Sequence, residues 1–311
     1  MHDMKQCYTY ERAGMMNKLA VSKRKKKEFL ESILFTIPCL VLVLIIFYIP
    51  SVMGIFYSFT KWNGISKEPV WIGIENYKQI FSASSDFLKS LGFTFKYTIC
   101  FMLITNVCAL LLAMALTKKI PGATVFRSLF FVPYIMSLTI VGFIWKFIFS
   151  SGFNALYKIT QWPFLDWSWL GSSKYAFWSI VIVGAWQALG FYMVLYIAGL
   201  QSLPSDVLEA ATVDGANAIQ KFFSVTLPLL RPSVVTCVFL SLTNGLKVFD
   251  IILALTKGGP GDATYSVTLN IYREAFQRNQ YGYGSAKAVL YFFIVLLITE
   301  LVMRFMNRGD E

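Results

Sequence analysis

The sequence has 311 residues, of which 56% are hydrophobic and only 14% are charged. Soluble domains carry about 25% charged residues, and a water-soluble fold of this length could not bury so much apolar surface. The composition therefore excludes an ordinary soluble protein and predicts an all-α membrane protein. The net charge of +11 does not indicate nucleic-acid binding, because the densest basic run, Lys23–Lys27, directly precedes an apolar stretch, as a cytoplasmic membrane flank does.

The segment ahead of the first apolar stretch, residues 1–32, is predicted to be a basic cytoplasmic extension. Both Met1 and the pair Met15–Met16 fit as the start of translation. The single histidine, His2, lies in this segment, and no two of the cysteines have metal-ligand spacing. We therefore expect no histidine-based catalytic triad, no metal site and no cofactor in this chain.

Six stretches are long and apolar enough to cross a hydrocarbon core about 30 Å thick, which takes about 20 helical residues. They predict a transmembrane domain over residues 33–306, followed by a cytoplasmic tail of residues 307–311. Pro38 and Pro50 lie within the first span and are expected to kink it. The six predicted spans are Ile33–Phe59, Phe95–Leu116, Leu129–Phe149, Ala176–Leu200, Pro232–Leu255 and Ser285–Met306.

The distribution of Lys and Arg predicts that both chain termini lie in the cytoplasm. The cluster Lys23–Lys27 decides this orientation, and Lys221, Arg231 and Arg304 then also face inward. The tryptophans agree, because five of them fall in predicted outer loops, near the interface that amphipathic rings prefer. These five are Trp62, Trp71, Trp162, Trp167 and Trp169. The chain is therefore expected in the cytoplasmic membrane, as a multi-pass protein.

The predicted inner loop of residues 203–228 has the pattern of a helix–turn–helix on the membrane surface. Asp206 and Glu209 lie in the first turns of its first helix and complement the positive end of the helix dipole. Gly215 is placed to end that helix. The second helix has one apolar face at i, i+3, i+4 spacing. This face consists of Ile219, Phe222 and Phe223. From the residues alone, a plug for a partner protein and an amphipathic loop resting on lipid both remain open.

The same loop resembles the EAA loop of binding-protein-dependent ATP-binding-cassette importers. The family pattern is Glu-Ala-Ala, three residues, Gly, nine residues, an aliphatic residue, one more residue and Leu-Pro. Here it reads Glu209-Ala210-Ala211, Gly215, Val225 and Leu227-Pro228. The spacing matches in full, and the one departure is Val225, where isoleucine is usual.

The resemblance extends along most of the chain and narrows to carbohydrate permeases of the maltose and multiple-sugar type. It implies the type I importer permease fold, which has six transmembrane helices and a cytoplasmic coupling helix. One departure is Phe93 before Thr94, where the family commonly has Asn-Thr. The segments that carry the resemblance are Phe47-Tyr48-Ile49-Pro50, Trp71-Ile72-Gly73-Ile74-Glu75-Asn76-Tyr77, Trp186-Gln187, Gly190-Phe191, Phe249-Asp250 and Ile271-Tyr272-Arg273-Glu274-Ala275-Phe276.

The resemblance implies a passive translocation subunit, not an enzyme, that moves a sugar or oligosaccharide by alternating access. The implied partners are a second permease subunit, a cytoplasmic ATPase dimer that binds ATP and Mg²⁺, an extracytoplasmic solute-binding protein and the lipid bilayer. The loop of residues 203–228 is then expected to seat in a groove on the ATPase. The residues assigned to this coupling are Glu209, Ala210, Ala211, Asp214, Gly215, Phe222, Leu227 and Pro228.

The glycine-rich segment Gly258–Asp262 is not expected to bind ATP, because it lacks the Gly-Lys-Ser/Thr ending of a P-loop. By the predicted topology it faces outward. A plain turn and a docking surface for a solute-binding protein both fit it.

Polar side chains within the spans are costly and mark candidate solute contacts. Asn244, Lys247 and Asp250 follow one another at i+3, so a continuous helix would place them on roughly one face. A solute pathway, mutual pairing and a snorkelling lysine all fit these three. Gln187 fits either a sugar contact beside Trp186 or an interhelical hydrogen bond. The candidate pathway residues are Trp186, Gln187, Asn244, Lys247 and Asp250.

Two other classes of function compete with the importer subunit. A stand-alone secondary transporter needs coupling carboxylates at mid-membrane and usually has internal repeats, whereas Asp250 lies near the edge of its span and no repeat is evident. A non-transporting scaffold or sensor does not need the full EAA spacing. The sequence identifies neither the solute nor whether the second permease is identical.

Overall fold

The computed structural model describes residue 29 and residues 31–82, 85–118 and 121–307. The predicted basic extension before residue 29, with Lys23–Lys27, and tail residues 308–311 lie outside the described residues. The chain divides into two units, Met1–Phe56 and Tyr57–Glu311. Among the described residues, five helices are long and apolar enough to cross a membrane, and one bent helix pair makes a sixth. This helical architecture confirms the predicted fold class.

The described part of the first unit is a single apolar helix. Helix α1 spans Glu31–Ser58 and continues two residues into the second unit. Its large apolar side chains, such as Phe35 and Phe47, are exposed within the unit, as expected of a helix solvated by lipid. A π-helical turn at Leu44–Tyr48 lies just before Pro50, which has no N–H to donate to the helix.

The second unit opens with a small antiparallel hairpin, in which Thr60 pairs with Trp71 and Lys61 with Val70. Ten helices follow. The strands are β1 (Thr60–Lys61) and β2 (Val70–Trp71), and the helices are α2 (Glu75–Ile80), α3 (Phe87–Thr117), α4 (Ala123–Ile135), α5 (Leu138–Thr160), α6 (Ser173–Gln201), α7 (Ser205–Val213), α8 (Ala218–Leu229), α9 (Arg231–Leu246), α10 (Asp250–Leu255), α11 (Val267–Tyr272) and α12 (Tyr281–Asn307).

The core of the second unit lies where α3, α6 and α9 meet. Tyr97, Tyr192 and Cys237 come from these three helices and are almost fully buried. Helix α6 also approaches α4 closely at Gly190, where an added Cβ would lie 2.1 Å from the Phe130 carbonyl oxygen. Small residues at such contacts let helix backbones come together in a membrane, where packing replaces the hydrophobic effect as the driving force.

The third span differs from the prediction, which placed one continuous helix over Leu129–Phe149. The structure has two helices, α4 and α5, that meet at Met136, which is extended, and Ser137, whose backbone is also not helical. Pro133 lies in the last turn of α4 and cannot donate to the helix ladder. The side-chain amide of Gln187 donates to the Tyr134 carbonyl at 3.2 Å and satisfies an acceptor at the break.

The fifth span was also predicted as one helix, over Pro232–Leu255, and this is wrong. Helix α9 ends at Leu246, and α10 begins at Asp250. The Phe249 backbone between them, with φ −144° and ψ −65°, is not helical. The sequence did not locate this break, because apolar residues lie on both sides of it and the charged residues Lys247 and Asp250 were assigned to one continuous helix.

Candidate functional site

The predicted coupling loop folds as two short helices joined by a glycine turn. Gly215 has φ +78°, a left-handed conformation that favours glycine. Its N–H donates to the Thr212 carbonyl at 3.2 Å, and the Ala216 N–H donates to the Ala211 carbonyl at 3.0 Å. This bond pair is the Schellman arrangement that satisfies the last carbonyls of a helix. The predicted helix end at Gly215 is therefore found in the structure.

The second helix of the loop begins with a capping box. The Asn217 side chain accepts from the Gln220 N–H, and the Gln220 side chain accepts from the Asn217 N–H, both at 2.9 Å. Lys221 Nζ donates to Thr212 Oγ1 at 2.8 Å and ties the second helix to the first. These four residues were missed by the sequence reasoning, although an Asn-x-x-Gln pattern is a recognisable helix start.

Most of the predicted coupling residues lie on an uncovered surface of this chain. Glu209, Ala210, Asp214, Gly215 and Pro228 are exposed, whereas Ala211, Phe222 and Leu227 are half-buried. Apolar side chains are exposed beside them. They include Val213, 86% exposed, Ile219 and Phe223. A surface of this kind marks a contact site for a partner or for lipid.

The loop is joined to the transmembrane core through a sharp bend. A π-helical turn at Phe222–Thr226 precedes the bend, and α8 and α9 meet at 71°. Leu230, the residue at the bend, is 1% exposed and belongs to the hydrophobic core. The far end of the loop is therefore anchored in the bundle while its helices remain accessible.

The break in the fifth span is stabilised by side chains from neighbouring elements. Tyr291 of α12 donates its hydroxyl hydrogen to the Leu246 carbonyl. The hydroxyls of Ser266 and Thr268 both donate to the Val248 carbonyl, the first at 2.9 Å. Non-helical backbone is tolerated at membrane depth only where it is buried in protein or lines a cavity. The interruption between α9 and α10 is therefore a stable part of the fold, because neighbouring side chains satisfy its backbone carbonyls.

This break separates the three polar residues predicted to share a helix face. Asn244 is in α9, Lys247 follows its last residue, and Asp250 starts α10. All three are exposed, and within the described chain Lys247 forms no ion pair with Asp250. The amide of Asn244 donates to the Tyr192 hydroxyl at 3.1 Å.

The two candidates on α6 have different surroundings. Trp186 is 40% exposed, and its ring meets Trp145 edge-on with centroids 5.4 Å apart. Gln187 is buried and makes the interhelical hydrogen bond to Tyr134 described above. Asn244 therefore contacts α6 through its hydrogen bond to Tyr192, whereas Gln187 contacts the break in the third span.

A chain of polar contacts that the sequence reasoning largely missed crosses the core. Asn106 of α3 accepts from the Tyr196 hydroxyl and donates to Ser241 Oγ of α9, both at 2.8 Å. Tyr192 and Tyr196 are spaced i, i+4 on α6, but an apolar span offers no signal that sets such tyrosines apart from core aromatics.

The segment Gly258–Asp262 is held in an ordered turn. Arg273 donates to Asp262 Oδ1 at 3.0 Å and to the Lys257 carbonyl, and its guanidinium lies 4.6 Å from the centre of the Tyr265 ring. The turn is thus fixed by Arg273, which lies 11 residues beyond Asp262. This order is compatible with both interpretations made from the sequence.

Comparison with known proteins gives consistent matches. Residues 105–309 match the family model described as binding-protein-dependent transport system inner membrane component. The chain is 41% identical, over 86% of its length and 91% of the relative's, to the probable starch degradation products transport system permease protein AmyD of Thermoanaerobacterium thermosulfurigenes. It is 39% identical, over 89% of its length and 95% of the relative's, to the multiple sugar-binding transport system permease protein MsmF of Streptococcus mutans.

A solved structure shows the same fold. A chain in the crystal structure of a bacterial ABC transporter involved in the import of the acidic polysaccharide alginate superimposes with a TM-score of 0.80. The two chains are 21% identical, and the match covers 94% of this chain and 99% of that one.

Proposed function

The chain belongs to the family of binding-protein-dependent transport system inner membrane components, and from this premise we propose that it forms half of a sugar-translocating path driven by a separate ATPase. As a member of this family it is a multi-pass membrane protein and a permease subunit of a binding-protein-dependent importer. In the proposal a second permease subunit completes the path, a cytoplasmic ATPase dimer binds and hydrolyses ATP, and both chain termini face the cytoplasm.

The observation that carries the proposal is the course of α9. This helix begins at the bend that ends the coupling loop and ends at the break in the fifth span. Its 16 residues form a rod roughly 24 Å long at about 1.5 Å per residue. A displacement of the loop by the ATPase is therefore delivered, through one rigid element, to Asn244 and Lys247.

The proposed solute contacts follow from this geometry. Asn244, Lys247 and Asp250 are exposed around an interrupted helix, and interrupted helices supply solute sites in transporters. Charged and amide groups do not face hydrocarbon without a large cost, so this face is expected to meet the second subunit and a water-filled path between them. Trp186 offers an exposed aromatic ring to the same path.

The solute class is inferred from the relatives. Two of them are named for starch degradation products and for multiple sugars, and the structural neighbour takes part in alginate import. An amide, two charged groups and an indole ring suit the hydroxyls and apolar ring faces of a sugar. We therefore assign a sugar or oligosaccharide to this importer.

Reconstitution tests the proposal. The chain is placed in liposomes with its second permease and ATPase, and uptake of labelled maltotriose is measured with the binding protein outside and ATP inside. ATP-dependent uptake is expected only when all components are present. Uptake by this chain alone, driven by a proton or sodium gradient, would instead establish a secondary transporter.

A further inference from the structure

A buried charged cluster lies at the start of α12. Lys287 is only 1% exposed, and its ammonium donates to Glu274 Oε1 at 3.0 Å and to Asn270 Oδ1 at 2.7 Å. Arg278 Nη1 lies 2.8 Å from the same Glu274 oxygen, and Lys287 Nζ lies 4.3 Å from the centre of the Tyr283 ring. Buried charges persist only when they are paired and hydrogen-bonded. The cluster is therefore held in place by its own ion pairs and hydrogen bonds.

A recess of about 250 Å³ opens on this cluster. Its charged lining residues are Lys287, Glu274, Arg278 and Asp86, and the amides of Gln79 and Gln280 also line it. Two cationic and two anionic side chains thus face one small space. Because their charges balance, the recess suits a neutral ligand with several hydroxyl groups better than an ion.

The recess continues into a larger cleft of about 810 Å³, since Gln79, Gln280 and Tyr283 line both. The side-chain amides of Gln79, Asn279 and Gln280 are exposed there. Within the described part of the chain none of these three amides makes a hydrogen bond. They offer donors and acceptors whose geometry matches hydroxyl groups.

The walls of this cleft are rigid without any ligand. The Trp62 ring stacks on Tyr57 with centroids 4.3 Å apart, and its Nε1 donates to the Ser66 carbonyl at 2.8 Å. The Gly282 N–H donates to the Trp62 carbonyl at 3.0 Å and fixes the hairpin to α12. A site ordered in advance loses less entropy when it binds.

We propose that the cleft and the recess form a second carbohydrate site, which binds a neutral oligosaccharide with one sugar ring in the recess. The site is built mainly by the hairpin, α2, residues 273–280 and the start of α12, and it is separate from the broken fifth span. It faces the extracytoplasmic side in the orientation proposed above, and the cleft alone, at about 810 Å³, lies in the range of about 300–1,000 Å³ usual for ligand sites. The choice of a carbohydrate rests on the proposed function.

Site-specific labelling tests this site in the assembled importer, in nanodiscs without ATP or binding protein. Lys61 lines the cleft and is exposed, whereas Lys67 is exposed in the same hairpin but does not line it. Maltotriose is expected to slow maleimide labelling of Lys61→Cys severalfold and to leave the labelling of Lys67→Cys unchanged.

The amides of the cleft are tested in the Lys61→Cys background. There, Gln79→Ala and Gln280→Ala together are expected to raise the maltotriose concentration that gives half-maximal protection at least about tenfold, because hydrogen bonds are lost. Gln277→Ala, an exposed glutamine outside the cleft, is the matched control.

The inference would be overturned if maltotriose did not protect position 61, or if it slowed labelling equally at positions 61 and 67. Protection of position 61 by phosphoethanolamine and not by maltotriose would also overturn it and would identify a lipid headgroup site. The outcome is separable from that of the proposed function. Protection without any ATP-dependent uptake leaves the second site standing, whereas uptake without protection removes the second site alone.

Discussion

At the residue scale, Asn244 joins the candidate path to the core. Its amide bonds to the hydroxyl of Tyr192, which is buried in α6, yet Asn244 itself is exposed. An exposed amide in a membrane helix is expected to face water, solute or another subunit. The hydrogen bond alone leaves the amide with a free acceptor and a second donor hydrogen.

Asn244→Ala is expected to lower oligosaccharide uptake at least about tenfold while ATP hydrolysis persists, because lost contacts of about 1.4 kcal/mol correspond to a factor of ten. Tyr192→Phe removes the same internal hydrogen bond but keeps the amide, and it is expected to cost much less uptake. Both are measured in proteoliposomes. Equal losses in the two variants would show that Asn244 acts only as a structural partner of Tyr192.

The buried ion pair of Lys287 and Glu274 is expected to stabilise the second unit. Lys287→Met leaves the Glu274 carboxylate with Arg278 as its cationic partner, so the expected cost is about 1–3 kcal/mol, below the about 3–5 kcal/mol of a buried charge left fully unpaired. Lys89 is an exposed matched control, since its ion pair with Asp86 at 3.8 Å lies at the surface. Lys89→Met is expected to change stability by less than about 1 kcal/mol. Thermal unfolding of the detergent-purified protein measures both, and equal shifts would contradict the assignment.

At the scale of elements, the coupling loop depends on the backbone of Gly215. Proline there cannot adopt φ +78° and removes the N–H that donates to Thr212. Gly215→Pro is therefore expected to change the angle between α7 and α8 and to uncouple ATP hydrolysis from uptake, while the protein still inserts. Gly73 also has a positive φ, +59°, with open space around it, so Gly73→Pro controls for the strain of proline at a left-handed position outside the coupling loop. Normal uptake by Gly215→Pro would refute this role.

The sequence predicts some elements much better than others. The helix–turn–helix of residues 203–228 was predictable because Gly215 marks the end of its first helix and an apolar face at i, i+3, i+4 spacing marks its second. The breaks after Ile135 and Leu246 were not predicted, because apolar residues lie on both sides of each break and the stabilising groups come from distant parts of the chain. Tyr291, for example, bonds to the Leu246 carbonyl across 45 residues.

The pairing of Lys287 with Glu274 shows the same limit within the candidate sites. The two residues are 13 positions apart and lie on different elements, so no periodic pattern connects them. Asn244 and Lys247 were selected because polar groups in a span are rare. Their common helix face was assumed from a continuous helix, and the break at Lys247 removes that assumption.

At the scale of the whole second unit, the proposed mechanism transmits movement from the coupling loop to the fifth span through consecutive helices. The exposed helices α7 and α8 lead through the 71° bend into α9, and α9 leads to the interrupted fifth span. Closure of an ATPase pair would act on the loop, and the rigid core of α3, α6 and α9 would carry the movement. Solute would then be released by a change in the surroundings of Asn244 and Lys247.

The most direct test of this account asks which side of the membrane the loop of residues 203–228 faces, and what covers it. Val213→Cys places a label at a residue that is 86% exposed, and Ile65→Cys, at a residue 79% exposed in the predicted outer hairpin, is the control. In intact cells an impermeant maleimide is expected to label position 65 and not 213. In inverted vesicles it is expected to label 213 only after the ATPase is stripped away. Labelling of position 213 from outside intact cells would contradict the account.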